Sequence, residues 1–262
     1  MKTQIDHLVV VAQTLEQGVL WCEATMGITP GAGGEHALYG THNRLFKIAT
    51  PANPLAYLEI IAVNPKAVRP ANAQGKRWFD MDDAMLRAAV AKEPQLVHFV
   101  VGTDDIQSAR VALKALNIDR GPAVHASRHS RRGLLQWQIT VRDDGQRLFN
   151  GALPTLIQWG KPELSKSPQG RHAASVPPRG SAETGGGPAF PPDPLRLHPR
   201  NSLPRSGVTL HSIAVTHPSA DKLQAAYQAI GLTGIALETG PANIAATLHT
   251  PKGAVTLHSQ GI

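Results

Sequence analysis

The chain has 262 residues, a formal net charge of +7 and a hydrophobic content of 42%, an ordinary balance for one large or two medium-sized folded domains. Residues 161–206 hold seven of the Lys and Arg residues against three Asp and Glu, so the rest of the chain carries only +3, which argues against a nucleic-acid-binding protein. The single cysteine, Cys22, excludes internal disulfides and cysteine-based metal clusters. No apolar run reaches the roughly 18 residues that cross a membrane, and no signal-type segment opens the sequence. We therefore expect a cytoplasmic protein.

Residues 1–65 predict a first module of one strand, one helix and three further strands. The run at 5–11 is apolar and rich in β-branched residues, which favours a buried strand. Thr14 opens a capping-box sequence that predicts the start of a helix. Strand patterns follow within 37–48 and 56–63.

Residues 66–94 form a connector with a short amphipathic helix, and residues 95–160 repeat the pattern of the first module. Asp104 is the expected N-cap of the second module's helix. In the connector, Trp78 and Phe79 precede the helix, and their aromatic rings favour core packing over packing across a pocket mouth.

Residues 161–206 differ in composition from the rest of the chain. They contain ten of the 21 prolines and the triplet Gly185-Gly186-Gly187, which predicts a disordered linker or insertion. Residues 207–262 then show the strand, helix and strand pattern a third time. Repetition on this scale predicts a protein built from equivalent modules.

Two histidines and two other polar residues occupy equivalent places in the first two modules. His7 and His98 lie in the first strands, and Glu59 and Gln158 lie in the last strands. In a regular strand His7 would share an apolar face with Ile5 and with residue 9, and Glu59 would also have apolar neighbours. Burying such groups is costly unless each finds a partner.

If the two modules pack with near two-fold symmetry, His7, Glu59, His98 and Gln158 meet in one cleft. Two imidazoles, a carboxylate and an amide oxygen suit a divalent first-row metal such as Zn, Mn, Fe, Ni or Co. Such a metal could act as a Lewis acid toward two adjacent oxygens of a substrate. The alternative is that each group is a hydrogen-bonded core residue. A general base could be Glu59 or a water on the metal.

Other polar residues lie near the predicted cleft. His36, His42 and Asn43 could bind a substrate or orient a ligand histidine, or they could satisfy turns and strand ends. Arg128 could bind a carboxylate or phosphate through its planar guanidinium, or it could be a solvated surface side chain.

Several motifs together resemble the glyoxalase-like domain family of the vicinal oxygen chelate superfamily. They cover nearly the whole chain except about residues 161–195. In the sequence they read Ile5-Asp6-His7-Leu8-Val9, Gly33-Gly34-Glu35-His36 with Gly40-Thr41-His42-Asn43, Tyr57-Leu58-Glu59-Ile60-Ile61, Ser127-Arg128 with Gly133-Leu134-Leu135-Gln136-Trp137, Leu156-Ile157-Gln158-Trp159-Gly160, and His198-Pro199 with Ser202-Leu203-Pro204 and Ser206-Gly207-Val208.

The resemblance implies an α+β fold in which βαβββ modules form curved mixed sheets around a cleft. It implies metal ligands on the first and last strands of paired modules, at His7, Glu59, His98 and Gln158. Because the superfamily includes isomerases, dioxygenases, epimerases, antibiotic-modifying enzymes and metal-free binding proteins, two functions stay open. One is a divalent-metal-dependent lyase, isomerase or dioxygenase acting on a small oxygenated compound. The other is a metal-free small-molecule binding or sequestering protein.

The third module departs from the even number of modules that the resemblance implies. It is expected either to pair with another chain, as in a homodimer, or to pack as a cover on the first two modules.

Overall fold

The computed structural model describes residues 1–70, 73, 75–130, 133–160 and 195–262, and within this part it contains twelve strands and four α-helices. The linker predicted at 161–206 lies mostly outside the described residues. In chain order the elements are β1 (Thr3–Val11), α1 (Leu15–Met26), β2 (Gly31–His36), β3 (Thr41–Lys47), β4 (Tyr57–Val63), α2 (Ala84–Val90), β5 (Gln95–Thr103), α3 (Ile106–Ala115), β6 (Ala123–Ser130), β7 (Gly133–Thr140), β8 (Thr155–Trp159), β9 (Thr209–Thr216), α4 (Ala220–Ala229), β10 (Ala236–Glu238), β11 (Asn243–Thr250) and β12 (Gly253–His258).

The first two modules share one curved mixed sheet of eight strands, in the order β2-β3-β4-β1-β5-β8-β7-β6. They meet where β1 runs antiparallel to β5. On either side, β4 lies parallel to β1 and β8 lies parallel to β5. The strand order is therefore the same in both directions from the β1–β5 pair, and the predicted α+β fold of repeated βαβββ modules is confirmed.

The two faces of this sheet have different functions in packing. One face packs against α1 and α3, and its buried core includes Leu8, Leu58, Phe99 and Leu113. The opposite face carries a second buried cluster with several aromatic side chains. Because side chains alternate along a strand, the central strands β1, β4, β5 and β8 contribute to both clusters.

A β-bulge interrupts β1 where it pairs with β5. Ile5 pairs with Val101 and His7 pairs with Val100, so Asp6 is an extra residue without a partner on β5. Ile5 packs in the helix-side core, so the expectation that His7 shares its face with Ile5 is wrong. The reason is the bulge, which re-aims side chains relative to regular alternation.

The third module forms a separate sheet in the order β10-β9-β11-β12. It has the predicted order of elements, but its last strand pairs with β11 and not with its first strand. Its apolar residues join the helix-side core of the first two modules, and the Tyr227 hydroxyl donates to the Ala152 carbonyl at 2.6 Å. The module therefore covers the helix layer of its own chain.

The helices of the described part are short. The longest, α1, has 12 residues, and among the described residues no helix has the length and apolar character needed to span a membrane.

Candidate functional site

A small pocket lies on the sheet face opposite the helices, and its volume is about 40 Å³. A water-sized space needs roughly 10–15 Å³ on this measure, so the pocket holds only a few heavy atoms. Its polar wall consists of His7, His36, Asn43 and Glu59. Its aromatic wall consists of Tyr57, Trp78, Phe79, Trp137 and Trp159.

The connector between the modules supplies part of this aromatic wall. Trp78 and Phe79 are both buried and both line the pocket, so they pack in a core and also close the site. The indole N–H of Trp78 is buried and has no hydrogen-bond partner among the described residues. Leaving a buried donor unpaired costs about 1–3 kcal/mol, and an oxygen atom of a bound compound would satisfy it.

His7 and Glu59 face each other at the polar wall. The His7 Nε2 and Glu59 Oε2 atoms are 3.5 Å apart, and the side chains are only 5% and 7% exposed. β1 and β4 lie side by side and bring the two residues together. The ring of Tyr57 stacks on the His7 ring with centroids 4.6 Å apart, which limits rotation of the imidazole.

Asp6 lies behind His7 and is fully buried. Its Oδ1 atom is 2.7 Å from His7 Nδ1, and its Oδ2 atom accepts from Trp159 Nε1 at 2.8 Å and lies 3.0 Å from His198 Nε2. Burial alone would raise the pKa of Asp6, but the charge and hydrogen bonds of His198 and His7 hold the pKa well below its ordinary value. Asp6 is therefore an ionised carboxylate inside the protein.

Glu59 is held on its other side by Asn43. The Asn43 side-chain amide donates to Glu59 Oε1, while its Oδ1 atom accepts from the Gly34 amide at 2.7 Å. His36 Nε2 lies 3.4 Å from the same Asn43 nitrogen. Both Asn43 and His36, which were expected near the cleft, line the pocket.

His98 does not reach the His7–Glu59 pair, contrary to the ligand set drawn from the sequence. Its Nδ1 atom lies 2.7 Å from the Gly151 carbonyl, which can only accept, so Nδ1 carries the proton. Its Nε2 atom accepts from the Thr155 amide at 3.1 Å. Burial, together with the charge of nearby Arg120, lowers the pKa of His98 well below its ordinary value. His98 is thus a neutral, hydrogen-bonded core residue.

Gln158 and His42 lie on the other side of the sheet from the pocket. The Gln158 Oε1 atom accepts from the Ile106 amide at the start of α3, at 2.8 Å, whereas its neighbours Ile157 and Trp159 line the pocket. His42 alternates with Asn43 along β3. Burial lowers the pKa of His42, and the charge of Glu16 in α1 partly opposes this shift. Strand alternation therefore directs both side chains away from the pocket, and the metal contact of Gln158 and the substrate contact of His42 stay predictions.

The side chain of Arg128 lies outside the described residues. Its backbone is part of β6 and pairs with Leu135, but its expected role in binding an anion remains a prediction.

The described side chains do not fit the metal centre that the resemblance implies. Within the described part of the chain, no group of three or more His, Cys, Asp or Glu residues is placed to hold a metal ion. Of the four predicted ligands only His7 and Glu59 come together, and the donor atoms of His98 and Gln158 are bonded within the protein.

Sequence reasoning missed Asp6, His198 and the aromatic residues contributed by β4, β7 and β8. Asp6 adjoins His7, and regular alternation would direct it to the other face. His198 was visible only as part of the motif that leads into the third module. The Trp residues of the strands offered a signal, since an indole N–H on a buried strand needs an acceptor.

Comparison with known proteins supports the architecture. A family model described as glyoxalase-like domain matches residues 5–231. The structure of a hypothetical protein from Staphylococcus aureus is similar over 98% of this chain and 85% of its own, with 15% identity and a TM-score of 0.52. No curated protein matches the chain significantly.

Two methylmalonyl-CoA epimerases are also similar, each over part of this chain. A variant of the Streptomyces coelicolor enzyme in complex with 2-nitronate-propionyl-CoA matches 60% of this chain and 95% of its own, with 15% identity and a TM-score of 0.37. The Mycobacterium tuberculosis enzyme matches 59% of this chain and 85% of its own, with 11% identity and a TM-score of 0.35.

Proposed function

We propose that this chain, which belongs to the glyoxalase-like domain family, is an enzyme that moves a proton on a small oxygenated compound, with His7 and Glu59 as the acid–base pair. The observation that carries the proposal is the arrangement of His7 and Glu59. Their Nε2 and Oε2 atoms lie 3.5 Å apart, and both buried side chains line a pocket. Buried ionisable groups in a cleft are candidate functional residues because burial is costly unless they are used or paired.

The chemistry follows from the partners of each group. Asp6 Oδ1 accepts a hydrogen bond from the N–H at His7 Nδ1, so the lone pair of a neutral His7 ring lies on Nε2. Asn43 donates to Glu59 Oε1 and leaves Oε2 toward His7. An imidazole and a carboxylate placed this way can remove a proton from a carbon beside a carbonyl group and return one to it.

The aromatic wall explains how the rest of the compound would be held. Tyr57, Phe79, Trp137 and Trp159 enclose an apolar volume, which strengthens electrostatic interactions by excluding water. Trp78 offers a buried N–H donor for an oxygen of the compound. The volume of about 40 Å³ favours a small compound.

The proposal assigns no step to a divalent metal, because only two of the four predicted ligands face each other. Exchange activity that survives chelation supports this part of the proposal. Activity that is lost on chelation and restored by Zn, Mn, Fe, Ni or Co would overturn it and return a metal to the His7–Glu59 pair.

The test is deuterium exchange from D2O into small α-hydroxy ketones, α-hydroxy acids and α-keto acids, followed by proton NMR. We expect exchange at the carbon beside the carbonyl in at least one compound. Glu59→Gln should reduce the rate about 10²–10⁴-fold, the range for loss of a general acid or base. Glu35→Gln removes an exposed carboxylate of β2 and should leave the rate unchanged. Equal rates in all three proteins would reject the proposal.

A metal-free binding protein is the second candidate, and the observation that favours it is the dense aromatic wall with its polar groups bonded to one another. The same compounds can be titrated by calorimetry into the protein and into the Glu59→Gln variant. Binding to both proteins without any deuterium exchange would favour this candidate.

A further inference from the structure

We propose that Asp6 and His198 are positioning residues that fix the proton of His7 on Nδ1 and so keep Nε2 directed at Glu59. This inference rests on the proposed function, because it identifies the residues that orient the acid–base pair. It extends that function to a segment of the chain that lies far from β1 in sequence.

The carboxylate of Asp6 can only accept hydrogen bonds when it is ionised. Asp6 is fully buried, and its two oxygens lie within hydrogen-bond distance of three side chains. Oδ1 meets His7 Nδ1 at 2.7 Å, and Oδ2 meets Trp159 Nε1 at 2.8 Å and His198 Nε2 at 3.0 Å. A His7 tautomer without a proton on Nδ1 would place a lone pair 2.7 Å from the Asp6 carboxylate, which costs more than the lone pair that the other tautomer places 3.5 Å from Glu59.

The neighbours of His198 determine its tautomer. Its Nδ1 atom accepts from the Arg200 amide at 3.0 Å, so the proton of the neutral ring lies on Nε2 and is donated to Asp6 Oδ2. The side chain is fully buried, and its ring makes an edge contact with Trp159 at a centroid distance of 4.8 Å. His198 therefore holds the carboxylate in place without competing for its Oδ1 atom.

The path of the chain places His198 beside the site. The residue stands at the start of a short 3-10 turn, Pro199–Asn201, and Pro199 lines the pocket. Further along, the Ser206 hydroxyl donates to the Lys47 carbonyl at the end of β3. The segment that leads into the third module thus runs across the site and completes the environment of His7. Residues that orient a functional histidine by hydrogen bonding commonly have a strong effect on its activity.

The experiment reads the His7 tautomer directly in the full chain by long-range proton–nitrogen NMR, at a pH at which the ring is neutral. In the unmodified protein we expect the proton on Nδ1. In Asp6→Asn we expect a shift of the population toward the Nε2 tautomer, because the amide can donate as well as accept. In His198→Phe we expect a smaller shift in the same direction. His258→Gln, at an exposed position of β12, should leave the His7 signals unchanged.

A proton on His7 Nε2 in the unmodified protein would overturn the inference without any variant. An unchanged tautomer in both Asp6→Asn and His198→Phe would also overturn it, and the unmodified measurement decides alone if these variants do not fold. The readout needs no substrate, so the two proposals fail separately. The expected tautomer without deuterium exchange rejects only the proposed function, and exchange with the other tautomer rejects only the positioning role.

Discussion

At the scale of single residues, two buried histidines on paired strands have opposite environments. His7 lies between the carboxylates of Asp6 and Glu59, whereas His98 lies beside the buried guanidinium of Arg120, with Nε2 3.3 Å from Arg120 Nη2. The sequence identified both as polar groups on apolar strands, but it could not show which one would face a carboxylate. That choice depends on Arg120 and Gly151, whose proximity to His98 exists only in the folded chain.

The environment of His98 predicts a pH dependence of stability. Its folded pKa is held well below 6.5, so between the folded pKa and about 6.5 the unfolded chain binds a proton that the folded chain does not. The free energy of unfolding therefore falls as pH drops below about 6.5, by up to about 1.4 kcal/mol per pH unit for this one proton. Urea unfolding from pH 8 to pH 5 measures this slope.

The matched control for this slope is His98→Gln, which lacks the titrating ring. The difference between the two proteins should shrink as pH falls, because only the unmodified chain takes up a proton on this ring when it unfolds. Other histidines with lowered pKa values, such as His42 and His217, are present in both proteins and cancel. Parallel curves for the two proteins would contradict the assignment.

At the scale of elements, local signals predicted the helices and most strands, but they left out β2, Gly31–His36, which was expected to be a loop because its glycine-rich sequence lacks the apolar alternation of a strand. Thr14 accepts from the Gln17 amide at the start of α1, and Gly27 ends this helix with a φ of 75°, as its capping pattern indicates. The N-cap of α3 is Asp105 and not Asp104, a difference of one residue. Gln158 was assigned to the wrong face, because similarity of position along a last strand does not establish which side of the sheet a residue occupies.

The pairing of β2 with β3 predicts a sensitive position at Gly33. A Cβ atom there would overlap both the side-chain and main-chain oxygens of Asn43, the residue that holds Glu59. Gly33→Ala should lower the free energy of unfolding by about 1–3 kcal/mol, as overpacking does, and should also reduce deuterium exchange. Chemical denaturation and the exchange assay measure the two effects.

Gly240→Ala is the comparison for Gly33→Ala, since an added Cβ would make only ordinary contacts with Thr216 in the third module. It should leave exchange unchanged. A Gly33→Ala protein with normal stability and normal exchange would show that β2 can move without disturbing Asn43.

At the scale of the whole molecule, the third module is part of the main core. Leu223 of α4 and Leu113 of α3 are both fully buried and belong to the same apolar cluster. The repeated sequence pattern predicted that a third module exists, but not its strand order or its packing partner. Those depend on contacts between residues that are far apart in sequence, such as Tyr227 with Ala152.

A shared core predicts that the three modules unfold together. Leu223→Ala should lower the free energy of unfolding by about 2–5 kcal/mol, the range for a large-to-small change in a core. Because the lost contacts join the third module to the helix layer, tryptophan fluorescence from the pocket and far-UV circular dichroism should shift to lower denaturant together. Val111→Ala removes an exposed side chain of α3 and should have little effect. Separate transitions for the two signals would show that the third module folds independently and only rests on the helices.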